Sequence, residues 1–111
     1  MTDQDLDPED AKIITLARAH RARNGTESGA AVRDTNGRTY AAIPVSLPSL
    51  RLSALEVAVA MAVSSGASGL EAAAIVSTDT ELTPDQAAAA LDLKAGAVFL
   101  AAPDGRVVAR I

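Results

Sequence analysis

Two short runs in this chain have the residue types and spacing to do chemistry at the start of a helix. They are Ser53-Ala54-Leu55-Glu56 and Thr83-Pro84-Asp85-Gln86. Each puts a hydroxyl where an N-cap belongs and a Glu or Gln three residues on, the spacing of a capping box. Carboxylates in a first helical turn face the positive end of the dipole. The same groups could move a proton if a substrate reached them. The simpler reading of Glu56 is the reciprocal partner of Ser53, and that of Asp85 is a first-turn carboxylate. Other reactive residues are few. The chain has no cysteine and one histidine, His20. Disulfides, thiol catalysis and thiolate–zinc sites are therefore excluded. His20 has no second histidine or cysteine to complete a familiar site and reads as a surface residue. Arg18, Arg21 and Arg23 gather around it, where they complement the negative end of a helix. The sharper reading of these arginines is a contact with phosphate or an acidic partner.

These residues need elements to hold them. Asp7-Pro8-Glu9-Asp10 is a strong helix start, with Asp as N-cap and Pro at the first helical position. That helix ends at Asn24-Gly25, and residues 1–6 before it read as a flexible acidic tail. Ser28–Arg33 and Arg38–Ile43 form a predicted hairpin around Asp34-Thr35-Asn36-Gly37, because Asn-Gly tolerates positive φ. Pro44 and Pro48 mark an irregular stretch. A second helix runs from Ser53 to Ser65, with Gly66 in the capping position. Leu70–Ser77 is a strand whose centre, Ala72-Ala73-Ala74-Ile75-Val76, suits burial on both faces. A third helix spans Pro84–Leu93. Two last strands, Ala97–Ala101 and Arg106–Ile111, turn at Pro103-Asp104-Gly105.

The order α-β-β-α-β-α-β-β predicts an α/β fold, a mixed five-stranded sheet with helices packed on it, in one domain over residues 1–111. Leu55, Val59 and Ala62 lie on one side of the middle helix while Val57, Ala60 and Met61 lie on others. Such a helix is covered on more than one side, by other elements or by another subunit. Hydrophobic residues make up 49% of the chain but aromatics only 2%, so the interior must be built from Ala, Val, Leu and Ile. A small core of small side chains favours sharing with another copy. The net charge of -4 argues against gripping nucleic acid through overall charge. The N-terminus is acidic and polar, unlike a signal peptide. The longest apolar run, Val57–Val63, is short of a membrane span. A cytoplasmic protein with no membrane partner is expected.

The element order, with Ser28-Gly29-Ala30-Ala31-Val32 leading into Asp34-Thr35-Asn36-Gly37-Arg38-Thr39-Tyr40 and with Ala58–Gly66, resembles the cytidine deaminase family over Ile13 to Ile111. The resemblance implies the family's three-layer fold and assembly into dimers or tetramers through its helices, here the Ser53–Ser65 helix. It also implies a zinc site at two facing helix starts. One start supplies a His or Cys ligand and, two residues on, a proton-shuttling Glu. The other supplies Pro-Cys-x-x-Cys. Matched position by position, the first ligand is Ser53 and the shuttle is Leu55. Pro84 is kept, but the thiolate positions are Asp85 and Ala88. One carboxylate is not a zinc site. The family holds ribose with an Asn-x-Glu pair, and the matching residues are Pro44 and Ser46.

The resemblance thus implies the fold, while the motif residues argue against the activity, a metal and a cofactor. The reading that follows is a non-catalytic, oligomeric binding or scaffold module. One alternative is a deaminase-related or hydrolytic enzyme with non-standard chemistry at Glu56, Asp85, His20 or Ser53. Another is an RNA- or ribosome-associated accessory protein contacting its partner through Arg18, Arg21 and Arg23. Against it, Tyr40 and Phe99 both fall in predicted strands, which leaves no exposed stacking aromatic.

Overall fold

Capping chemistry sets the helix boundaries in the computed structural model, which describes residues 6–111. Helix α1 spans Pro8–Asn24, and the Asp7 side chain accepts from Glu9 N at 2.8 Å. Gly25 follows it at φ 61° in the left-handed region. Helix α2 spans Ala54–Ser64 and α3 spans Pro84–Asp92, each opened by the expected capping box. Beyond α2, Gly66 sits at φ 99°. Its N–H donates to Val63 O, and Ala67 N donates to Ala62 O, which closes the last turn. At the end of α3 the corresponding left-handed residue is Lys94, at φ 58°. Most of the predicted acidic tail lies outside the described residues, but Leu6 packs on the core beneath α1.

The strands are β1 (Gly29–Asp34), β2 (Thr39–Ala42), β3 (Val45–Leu47), β4 (Leu50–Leu52), β5 (Leu70–Val76), β6 (Val98–Ala101) and β7 (Val107–Arg110). Five of them form the mixed sheet β2-β1-β5-β6-β7. All pairs are antiparallel except β5 with β6, which α3 connects. The stretch around Pro44 and Pro48 is a correction to the sequence reading. It is not irregular but a separate two-stranded ribbon, β3–β4, with Leu47 opposite Leu50 at its tip. Both prolines lie just outside its three-residue strands, where a missing N–H costs no ladder bond.

Alternation along the strands makes three layers. Ala30, Val32 and Ala73 face α2 and α3, while Ala31, Ala74, Val76 and Phe99 face α1. β5 is central and largely buried on both faces, as its apolar run predicts. The layers approach closely because their residues are small. At Gly29 a Cβ would stand 2.3 Å from Ala17 O of α1. The inner side of α2 is covered by β1, β2 and α3. Its outer side leaves Met61 41% and Val63 49% exposed, so the described residues cover only part of the helix.

Two polar groups, Arg33 partly buried and Asp34 fully buried, fasten this frame. Arg33 on β1 donates to Asp10 Oδ1 of α1 at 2.9 Å and to Glu71 Oε1 of β5 at 2.7 Å. Burial opposes its charge, but the two carboxylates outweigh that and raise its pKa. Asp34 is 1% exposed at the hairpin turn. Burial alone would push its carboxyl up. The backbone N–H groups of Arg38 and Asn36, the Tyr40 hydroxyl and the Arg38 charge prevail and hold it below the usual carboxylate value.

Candidate binding cleft

The register of β1 against β5 pairs Gly29 with Val76. That brings Glu27 and Ser28, just before β1, beside Ser77 at the carboxyl end of β5. Ligands in open α/β sheets bind beyond such strand ends. The first turns of α2 and α3 close the same space from the other side. The result is a cleft of about 390 Å³.

Its floor is apolar, made by Leu55, Ile75, Ala54 and Ala89, and Leu55 is 1% exposed. Polar groups ring it: Glu27, Ser28, Ser53, Ser77, Asp79 and Asp85. Glu56 and Gln86 also line it, but their side chains are committed to the helix caps. Ser53 N donates to Glu56 Oε1 at 2.8 Å and Glu56 N to Ser53 Oγ at 3.1 Å. At α3, Thr83 N donates to Gln86 Oε1 at 2.9 Å and Gln86 N to Thr83 Oγ1 at 3.2 Å. Gln86 Nε2 then reaches Asp79 Oδ2 at 3.3 Å, and Asp79 N donates to Ser77 Oγ at 3.1 Å. Carboxylates thus line the cleft, and no Lys, Arg or His does so among the described residues.

Ser53, Leu55, Asp85 and Ala88 all line this cleft, so the fold brings together the residues that the sequence matched to a zinc site. Their donor set, one hydroxyl and one carboxylate beside two hydrocarbon side chains, does not fit a zinc ion. No group of three or more metal-capable His, Cys, Asp or Glu side chains exists among the described residues. Pro44 and Ser46 lie elsewhere, before and within β3, and do not line the cleft. The arginines are also apart from it. Arg18 Nε donates to Pro103 O at 2.9 Å and Arg21 Nε to Glu27 O at 3.1 Å, while Arg23 is exposed. His20 is half-buried, with Nδ1 3.2 Å from Leu16 O. Sequence reasoning missed Glu27, Ser28, Ser77 and Asp79. The carboxyl end of a predicted central strand was the signal for the last two.

A family model described as cytidine deaminase-like matches residues 6–105. The chain belongs to the cytidine deaminase-like family, as the element order, the facing helix starts and this match together require. Among solved structures it is similar to a cytidine deaminase from Burkholderia pseudomallei, with 21% identity and a TM-score of 0.72 over 86% of this chain and 87% of that one. It is also similar to a cytidine deaminase from Mycobacterium leprae, with 18% identity and a TM-score of 0.62 over 87% of this chain and 91% of that one. At these identities the likeness speaks to the fold. No curated protein matches the chain. No described helix is long and apolar enough to cross a membrane.

Proposed function

We propose that this chain is a non-catalytic member of its family, an oligomeric module that binds a small molecule in the cleft without deaminating it. One observation carries the reading: the two helix starts that face the cleft present Ser53, Leu55, Asp85 and Ala88. A leucine has no proton to transfer, and an alanine has no lone pair for a metal. Glu56 does not replace the missing shuttle, because its carboxylate caps α2. The outer side of α2, with exposed Met61 and Val63, supports self-association through the Ser53–Ser65 helix. The RNA-associated alternative has less support, since Arg18 and Arg21 each hold a carbonyl of their own chain. An enzyme using Glu56 would have to break its cap first.

Purified protein assayed with cytidine and deoxycytidine is expected to release no ammonia above the uncatalysed rate. Metal analysis of the same sample is expected to find no stoichiometric zinc. Turnover, or one zinc per chain, would sink the proposal.

A further inference from the structure

The cleft has a second lobe. A cavity of about 160 Å³ is lined by Glu27, Ser28, Ser77, Thr78 and Asp79. All but Thr78 also line the main cleft, so the two spaces form one depression. Its lobes differ in chemistry. One lies over Leu55, Ile75 and Ala89. The other has no hydrophobic side chain, only hydroxyls and two carboxylates. Ser77 is 5% exposed and its Oγ accepts from Asp79 N, which leaves a lone pair and the hydroxyl proton for a guest. Among the described residues, no Lys, Arg or His lines either lobe. Glu27 and Asp79 are exposed at the rim of the depression, and every formal charge among the described residues that line it has one sign.

We infer that the depression takes a small molecule carrying a protonated amine on a compact apolar body. The ammonium occupies the polar lobe with Glu27 and Asp79, and the body lies over Leu55 and Ile75. The inference rests on the reading of the cleft as a binding site and adds the charge of its ligand. Phosphate-bearing molecules find no cationic side chain among the lining residues and are disfavoured by the carboxylates. Each exposed charge pair contributes modestly, and two together support about ten-fold in affinity. Salt weakens the preference.

Benzylamine, benzyl alcohol and benzoate share one apolar body and differ in charge. Titrated into the full chain labelled with ¹⁵N, benzylamine is expected to shift the amides of Ser28, Ile75 and Ser77 saturably. It should bind about ten-fold tighter than benzyl alcohol at low salt, and benzoate should leave those amides unmoved. The double variant Glu27→Gln/Asp79→Asn alters two exposed side chains. It should lose most of the benzylamine preference and keep the benzyl alcohol affinity. Glu27→Gln alone carries the same expectation if the double variant melts early. Equal binding of the amine and the alcohol would overturn the charge inference and leave the cleft a binding site. No shift at these amides with any of the three probes, nor with cytidine, would overturn the binding reading as well.

Discussion

Gly29 is the residue at which two layers of the molecule touch. A Cβ there would meet Ala17 O at 2.3 Å and Arg21 N at 3.0 Å, both backbone atoms of α1 that cannot turn aside. Gly29→Ala must push the helix off the sheet. It is expected to lower stability in urea by about 1–3 kcal/mol, the cost of overpacking a core. Asp34 makes a different kind of claim. Its carboxyl titrates below its ordinary value because the hairpin's own N–H groups and Tyr40 solvate the charge in place of water. The stability it contributes is present in full above the unfolded pKa of about 3.9 and is lost as pH falls through the lower folded value. Urea titrations at a series of pH values should therefore give a fall in stability on acidification below about pH 4. Asp34→Asn should be less stable at neutral pH, where the carboxylate is charged, and should flatten that fall. An unchanged acid slope in the variant would mean that other carboxylates dominate.

At the scale of elements, each helix is delimited by residues that name themselves. Asp7-Pro8, Ser53 with Glu56, and Thr83-Pro84 with Gln86 are local signals, and each is a hydrogen-bonded cap in the fold. The C-terminus of α3 is the exception, since Lys94 occupies a left-handed position that suits glycine. Lys94→Gly should raise the stability by about 0.5–1 kcal/mol, because α3 keeps its closing bonds and loses the Cβ strain. A lower melting temperature would contradict this. The capping signals located the two helix starts, while the family resemblance implied that they face each other and so marked Ser53, Leu55, Asp85 and Ala88. The β3–β4 ribbon was hidden because two prolines and three-residue strands carry no alternation to read. Glu27 and Ser28 were hidden for another reason. They lie just before β1, and only its register on β5 makes them neighbours of Ser77 and Asp79.

In the molecule as a whole, the described residues leave the outer side of α2 incompletely covered. Beside Met61, a shallow groove contains Tyr40, Val57 and Ala60, and it continues the apolar side of α2. If copies meet there, Met61→Glu should shift the sedimenting species to a monomer and leave the far-ultraviolet dichroism unchanged. A wild-type chain that sediments as a monomer at high concentration would refute the assembly. The remaining consequence concerns time. β5 is hydrogen-bonded on both sides at the centre of the sheet, so its amides exchange with solvent only when the whole chain opens. The β3–β4 ribbon belongs to no larger sheet, and two-stranded pairs are marginal on their own. Its amides should exchange through small local openings, orders of magnitude sooner. Yet β4 runs straight into Ser53, the cap of α2 at the mouth of the cleft. The strand expected to exchange fastest therefore adjoins the site, and its deuterium uptake should act as a clock for occupancy of that site.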